Sequence, residues 1–433
     1  MTTESMEQPD PKHLGDRRIL VVGLNYWPEE TGNAPYTTGL AEHLVRRGAA
    51  VTVIAGMPYY PQWRVAAGYR GRWRLRETRH GVALHRFRQY VPGNQSALRR
   101  ALFEATFLAH AATARGLDRP DLVFGVLPSL SDGVLAATLA RRHRVPLALL
   151  VQDLVGQSAA QSGIAGGGKV VGVTRSVEGW VARQASGIAV VAEGFRPPLM
   201  ALGVPPERIV RVRNWTHIKP GTAPRDATRA RLAFPVDKTV CLHAGNMGLK
   251  QGLENLVDCA RLALAAAPDL LFVLMGDGNQ RAMLEERARD LPNLRFLPPQ
   301  PEDDFPNVLA AADVLLVNQR PTVTDMSLPG KLTSYFASGR PVVAAVSPTS
   351  ETARELTQSG AGRVVDAGNP DLLLAAIRGL AADSVAAADL GTRGQAFARG
   401  NLTEGAALER LERFVIGFLD SRAEQPAPTV AVA

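Results

Sequence analysis

Short, unbroken apolar runs alternate with helix-length segments along most of this chain, and that rhythm restricts it to a parallel α/β architecture. The first run, Ile19-Leu20-Val21-Val22, has no polar residue inside it, as expected of a strand buried on both faces. A loop follows, then a helix with Asn33 as candidate N-cap and Pro35 in its first turn, stopping at Gly48. Val51-Thr52-Val53-Ile54 is the next strand, which completes a strand–loop–helix–strand unit and opens a doubly wound fold. Further strands are expected near 82–87, 121–125, 147–151, 188–191 and 209–215, with helices near 97–115, 132–142 and 195–202. After a charged, proline-flanked connection the pattern restarts at residues 239–243 and continues through 270–275, 293–297, 313–317 and 341–345.

A chain of 433 residues exceeds what one core usually serves. The expected division is a first Rossmann-like domain over 17–216 and a second over 217–402. A helix at 403–422, apolar at Leu408, Leu411, Phe414, Val415 and Phe418, packs back on the body. The polar segment 1–16 is read as a disordered lead rather than a signal peptide, and 423–433 as a disordered tail. The glycine-rich stretch 158–172 is expected to be loose, a mobile loop near an acceptor.

The two cysteines, Cys241 and Cys259, make neither a disulfide framework nor a metal spacing, which fits a reducing compartment. No apolar run is long enough to span a bilayer. Of the net charge of +8, much lies between residues 64 and 119, where twelve arginines face only Glu77, Glu104 and Asp118. Such a field attracts polyanions or an anionic membrane surface. No nucleic-acid module accompanies it, so nucleic acid is not the expected partner. A solvated charged face is the plain alternative. The segment around Leu98, Leu102, Phe103 and Phe107, flanked by Arg99 and Arg100, is either a core helix or one lying at a lipid interface.

Three stretches offer chemistry. In the first, Pro329-Gly330 precedes a short helix beginning near Lys331, and Gly339 followed by Pro341 ends it. A cation in a first helical turn opposes the macrodipole, and becomes favourable if an anion such as phosphate sits between it and the free N–H groups. In the second, Gly245-Asn246-Met247-Gly248-Leu249-Lys250-Gln251-Gly252 joins a strand to a helix, a turn whose N–H groups can cradle phosphate beside Lys250. Both turns open on the C-terminal edge of one sheet, which suits a diphosphate. In the third, Gln152-Asp153 ends a strand on the ligand-binding rim of the first sheet, where Asp153 either holds a hydroxyl, acts as acid or base, or caps a loop. The dinucleotide glycine fingerprint is absent from the first turn, which argues against an NAD enzyme.

The layout and the residues together resemble the GT-B glycosyltransferases of family 4, and within them the WcaI-type colanic acid biosynthesis enzymes. The matching pieces are Asn25-Tyr26-Trp27-Pro28-Glu29 with Thr31-Gly32, Pro58-Tyr59-Tyr60-Pro61 with Trp63, Gln152-Asp153 and Arg213-Asn214-Trp215. Gly245-Asn246-Met247-Gly248 with Lys250-Gln251-Gly252 follows, then Pro329, Lys331-Leu332-Thr333 and Ala337-Ser338-Gly339-Arg340-Pro341-Val342-Val343. The resemblance implies two doubly wound domains with an interdomain cleft, and retaining transfer of a sugar from a nucleotide-diphosphate donor without a bound metal or other cofactor.

It also implies roles. Asp153, Lys250 and Lys331 would be catalytic. Gly32, Asn33, Gly245, Asn246, Gly248, Gln251, Asp325, Pro329, Leu332 and Ser334 would bind the donor, and Tyr59, Tyr60 and Trp63 the acceptor. The sequence departs from the family where glutamates commonly precede Ala-Ser-Gly: Ser334 stands at the ribose position, Asp325 is the nearby acid, and Asn246 replaces a common arginine. Losing a charged acceptor weakens a ribose contact by about 1 kcal/mol. The expected function is transfer from a GDP- or UDP-sugar, fucose-type included, to a lipid-pyrophosphate-linked glycan in exopolysaccharide biosynthesis. The site of action would be the cytoplasmic face of the inner membrane, with peripheral attachment. A catalytically degenerate binding subunit and a sugar-nucleotide epimerase are the alternatives.

Overall fold

Apolar alternation resolves into two sheets, each covered by helices. The computed structural model describes residues 14–15, 17–93, 96–154, 167–216, 219–323 and 330–423. The chain divides into two units, Met1–Val212 with Leu408–Ala433, and Arg213–Ala407. The expected lead and tail lie almost wholly outside the described residues.

The strands of the first unit are β1 (Arg18–Val22), β2 (Ala50–Gly56), β3 (Arg74–Arg79), β4 (Val82–Phe87), β5 (Leu122–Leu127), β6 (Leu147–Val151), β7 (Gly187–Val190) and β8 (Ile209–Arg211). Its helices are α1 (Ala34–Arg46), α2 (Ala97–Ala111), α3 (Leu130–His143), α4 (Gly167–Gln184) and α5 (Arg196–Ala201). The sheet order is β3-β4-β2-β1-β5-β6-β7-β8, parallel except for the antiparallel edge strand β3. β1 pairs with both β2 and β5, so the order reverses beside it. Loops at the C-terminal ends of β1 and β5 therefore diverge and leave a crevice.

The second unit holds α6 (Arg225–Arg231), β9 (Thr239–Ala244), α7 (Glu254–Ala266), β10 (Leu270–Met275), α8 (Arg281–Arg287), β11 (Leu294–Leu297), α9 (Phe305–Ala311) and β12 (Val314–Asn318). It continues with α10 (Gly330–Ser338), β13 (Val342–Ala345), α11 (Glu351–Ser359), β14 (Gly362–Val365), α12 (Pro370–Ala382) and α13 (Ser384–Asn401). Its sheet is wholly parallel, in the order β11-β10-β9-β12-β13-β14, with the reversal beside β9. Alternate strand residues feed opposite layers. Cys241, Phe272, Leu274 and Leu316 pack under α7 and α12, while Val240, Leu242, Val273 and Leu315 pack under α9 and α10.

Several sequence expectations shift. β3 was not anticipated; it is an exposed edge whose half-buried positions alternate with exposed ones. α2 ends at Ala111 rather than 115, and α3 begins at Leu130, two residues early. The expected loose stretch is helical from Gly167, and its residues 158–166 lie outside the described ones. β8 stops at Arg211 instead of reaching Trp215. Beyond it Arg213 grips the buried Glu355 through Nε and Nη2 at 3.0–3.2 Å.

The arginine field is partly internal structure. Arg86 is 1% exposed and donates to Glu77, the Gly56 carbonyl and the Trp27 carbonyl. Arg74, Arg76 and Arg79 bond Thr113, the Arg115 carbonyl and Glu42. Most of the others, Arg64, Arg70, Arg72, Arg88, Arg99, Arg115 and Arg119, stay exposed, as do Arg74 and Arg76.

The last helix, α14 (Glu404–Ala423), contributes its body to the first unit. Leu408, Leu411, Val415 and Leu419 are buried, and Phe418 lies where a side chain on Gly187 would be, 2.3 Å from the position of a Cβ. Glu412, 4% exposed, accepts from His43 Nε2 at 2.8 Å and Arg47 Nε at 2.7 Å on α1. Breaking a buried pair strands the remaining charge. Glu412→Ala is expected to lower unfolding free energy by about 2–4 kcal/mol, and Leu411→Ala by about 2–5 kcal/mol through its cavity. Urea denaturation of the full chain measures both; an unchanged midpoint in either variant contradicts this packing.

Candidate functional site

In the second unit the crevice beside β9 is built from two glycine turns pressed together. Gly245 and Gly276 have φ of 135° and 141°, and a Cβ on Gly276 would fall 1.9 Å from the Gly245 carbonyl oxygen. Only glycine permits that approach. Gly245 N–H donates to the Met275 carbonyl and Met247 N–H to the Asp277 carbonyl, each at 2.8 Å. A 3₁₀ turn, Leu249–Gln251, then leads towards α7. Asn318, at the end of β12, donates to the Gln251 and Gly252 carbonyls at 2.8 and 2.7 Å, and Arg320 N–H donates to the Lys250 carbonyl at 3.0 Å. The turn after β9 and the loop after β12 are thus stitched into one rim. Asn246 and Lys250 are exposed on it, whereas Gln251 Oε1 is engaged by Gly248 N–H at 3.2 Å.

α10 docks on the same edge. Ala244 N–H donates to the Tyr335 hydroxyl at 2.8 Å, and that hydroxyl donates back to the Ala244 carbonyl at 3.2 Å. Lys331 lies one turn earlier on the same helix face. Its Nζ stands 3.4 Å from His243 Nε2, and Cε and Nζ lie 3.5–3.6 Å from where a Gly245 Cβ would be. A larger residue at 245 would crowd the lysine. His243 Nδ1 lies 3.2 Å from the Leu316 carbonyl, which can only accept, and a hydrogen on Nδ1 leaves the Nε2 lone pair for the ammonium. Complete burial, reinforced by the Lys331 charge, pushes the His243 pKa well below its ordinary value. The imidazole is neutral and serves as a fixed acceptor. The first backbone N–H groups of α10 have no intrahelical partner by geometry, so lysine and helix end present positive charge together.

The remaining donor positions fare differently. Leu332 and Ser334 are 0% and 4% exposed, because the helix is buried all round over 332–337, so their side chains present little surface to a nucleoside. Asp325 and Pro329 lie outside the described residues.

In the first unit the loop after β1 and the aromatic loop after β2 are joined by one carboxylate. Glu29, 6% exposed, accepts Tyr59 N–H at 2.7 Å, Tyr60 N–H at 2.8 Å and Asn25 Nδ2 at 2.8 Å. Gly32, with φ 67°, lies under the Tyr60 ring, 3.1 Å from a would-be Cβ. Asn33 precedes α1 without a side-chain cap bond. Tyr59 is buried between Trp63 and Phe103, with ring centroids 5.3 and 5.2 Å away, so it forms a wall rather than an open contact. Trp63 instead borders a groove of about 750 Å³ with Arg64, Trp73, Arg88, Tyr90 and His110. Asp153 stands at the tip of β6 as expected, its Oδ1 accepting Leu154 N–H at 2.8 Å, and borders a cavity of about 10 Å³ with Glu178. Glu104 accepts from Ser129 and Ser131 at the start of α3.

His243, Tyr335, Asn318, Glu29 and Glu104 were missed by sequence reading. A histidine closing an apolar run, and a tyrosine four residues after Lys331, are the signals that could have found the first two. Among the described residues no group of His, Cys, Asp and Glu side chains could hold a metal ion, and no helix is long and apolar enough to cross a membrane.

Comparison with known proteins supplies the family. Residues 31–215 match the family described as "Glycosyl transferase 4-like domain", and 238–383 match "Glycosyl transferases group 1". The proposed colanic acid biosynthesis glycosyl transferase WcaI of Escherichia coli K12 is 34% identical over 334 residues, covering 74% of this chain and 81% of that protein. A GDP-mannose-dependent monoacylated alpha-(1-6)-phosphatidylinositol monomannoside mannosyltransferase of Corynebacterium glutamicum is 28% identical over 43% of this chain and 49% of its own length. Among solved structures, Anabaena HepE in complex with UDP superposes with a TM-score of 0.66 at 17% identity, covering 93% of this chain and all of that one. Sucrose-phosphate synthase from Thermosynechococcus elongatus gives 0.67 at 16% identity, over 94% of this chain and all of that one. The chain belongs to the family 4 glycosyltransferases of GT-B fold, of the WcaI type.

Proposed function

We propose that the chain transfers a sugar, with retention and without a bound metal, from a nucleotide-diphosphate donor to a glycan acceptor in the assembly of a cell-surface or exported polysaccharide. The observation that carries this reading is Lys331, held at Gly245 by His243 and by the anchored Tyr335, in the first turn of α10. The leaving group of such a transfer is a nucleoside diphosphate, whose charge grows as the glycosidic bond breaks. Fixed cations and N–H donors aimed at that charge stabilise the transition state more than the ground state. Lys331, the exposed Lys250 and the first turn of α10 supply them.

The donor class is also supported by the UDP and UDP-glucose held by Anabaena HepE and by the GDP-mannose named for the C. glutamicum relative. Which base and which sugar, a fucose-type sugar included, follows from a thermal-shift screen, because a bound nucleotide sugar raises apparent stability by mass action. The phosphatidylinositol glycan named for that relative favours a lipid-linked acceptor here. Two surface features agree with it: the groove bordered by Trp63, Trp73, Arg64 and Arg88, and the outward face of α2, where Leu98 and Leu102 are 81% and 47% exposed beside Arg99. Such a face suits peripheral attachment to an anionic, inner-leaflet membrane surface. The buried Ser334 favours a second reading, a binding subunit without turnover. Release of free nucleotide from the donor by the purified protein separates the two.

Lys331→Ala and Lys250→Ala are each expected to lower turnover about 10²-fold or more in a donor-consumption assay. Near wild-type rates in both variants would sink the assignment. His243 acts through Lys331, so His243→Phe should lower kcat, His243→Gln should restore part of it, and neither should matter once Lys331 is alanine. The same histidine gives a pH signature. Its folded pKa lies below the unfolded value near 6.5, so acid protonates the unfolded chain first. Its contribution to stability is intact above that pH and falls by about 1.4 kcal/mol per unit below it, a slope His243→Phe should flatten in denaturation curves from pH 7 to 5. Transfer should persist in excess EDTA; loss restored by a divalent ion would contradict a metal-free reaction.

A further inference from the structure

The crevice beside β1 in the first unit contains an acid that the proposed reaction has not used. Asp132, on the first turn of α3, is 2% exposed. Its Oδ2 accepts Leu24 N–H at 2.9 Å, which ties α3 to the loop after β1. Its Oδ1 has no hydrogen-bond partner among the described residues. The neighbouring acid is different: Glu104 accepts Ser129 Oγ and Ser131 Oγ at 2.6 Å and Ser131 N–H at 3.1 Å. Asp132 borders a cavity of about 30 Å³, shared with Asn25, Asn33, Tyr59, Arg100 and Ser129. An unpaired buried oxygen is costly, so its persistence beside a polar cavity points to a ligand atom there.

The chemistry of that atom follows from the surroundings. Burial, with the nearby Glu104 charge adding to it and the Leu24 N–H opposing it, pushes the Asp132 pKa well above the usual carboxylate range. The carboxyl is neutral, and since Oδ2 already accepts an N–H, the proton belongs on Oδ1, the buried, unpartnered oxygen of a residue that lines the cavity. A whole phosphate, like a whole sugar, exceeds this space, so what enters it is one or two oxygen-sized groups. A neutral acid also lacks the basicity to deprotonate an attacking hydroxyl. What fits is a hydroxyl that accepts from Oδ1–H and donates to a side chain such as that of Asn33.

We propose that this cavity is a subsite for a non-reacting ring hydroxyl of the acceptor sugar, with Asp132 as the residue that reads it. The inference rests on the glycosyl-transfer reading and names part of the acceptor's chemistry. Selectivity of this kind is strong, because a site built to bond a hydroxyl leaves its own groups unpaired when the hydroxyl is missing.

The test uses methyl glycosides of glucose, galactose, mannose and fucose, and their monodeoxy analogues, as probes for the full-length protein by saturation-transfer NMR. The expected result is that one deoxy analogue of the best-bound glycoside binds about tenfold or more weaker than its parent. Asp132→Asn, which keeps one donor and one acceptor in place, should preserve that preference within about threefold. Asp132→Leu should erase it, with Asp132→Ser replacing it if the leucine variant does not fold. The subsite is overturned if the leucine or serine variant keeps the preference, if the asparagine variant loses it, or if the wild-type protein binds no probe. Thermal stabilisation of the wild-type protein by UDP- and GDP-sugars is read in parallel. Its absence counts against glycosyl transfer itself, while its presence without hydroxyl preference removes only the subsite.

Discussion

The paired hydrogen bonds between Tyr335 and the backbone of Ala244 organise the chemistry of the second unit. They fasten α10 to the end of the first strand of that sheet, and the helical repeat then sets Lys331 over Gly245 without any further adjustment. His243, one residue before Ala244, is buried and neutral on the same strand end, so its lone pair can meet the ammonium without placing a second positive charge beside it. Removing the phenol would release the helix, the lysine and the imidazole contact together. A cation in the first turn of a helix opposes the macrodipole, and the neutral His243 beside it adds no second charge to that cost.

Backbone proximity is the second constraint. The turns containing Gly245 and Gly276 touch through main-chain atoms, and Asn318 and Arg320 bond the following turn from the next strand over. The rim is therefore tied together where the amide donors are, while the side chains of Asn246 and Lys250 are exposed on it. Preorganised donors of this sort act in a transition state without reorganising. The first unit repeats the topology with different side chains: its crevice is lined by Asp132, Arg100, Asn25, Asn33 and Tyr59, while Glu29 and Glu104 bond the flanking loops.

The arginine-rich region shows how composition misleads when taken as a surface property. Arg86 is almost wholly buried and is consumed in tying β4 to the loop after β1, and β3 uses its own arginines on Thr113, the Arg115 carbonyl and Glu42. The other arginines are mostly exposed, so much of the charge still faces outward. It lies beside exposed Leu98, Leu102 and Trp73, a combination that composition alone does not distinguish from a solvated face.

From the amino-acid order alone, the parallel sheets, the restart after the connection, the two lysine-bearing turns and the rim position of Asp153 were all legible, because apolar periodicity and turn chemistry are local. The family was legible too, since its motifs lie on those turns. Tertiary structure alone decided which side chains around the turns matter. Ser334 and Leu332 were read as donor contacts from the family resemblance, yet packing on all sides of the helix buries both side chains. His243 and Asp132 read as an ordinary strand residue and an ordinary helix residue; only the packing of α10 on β9, and of α3 on the loop after β1, brings one to a lysine and leaves the other with an unpaired oxygen. Burial and partnership depend on contacts distant in sequence, 88 residues apart for Lys331 and His243, and no local pattern encodes them.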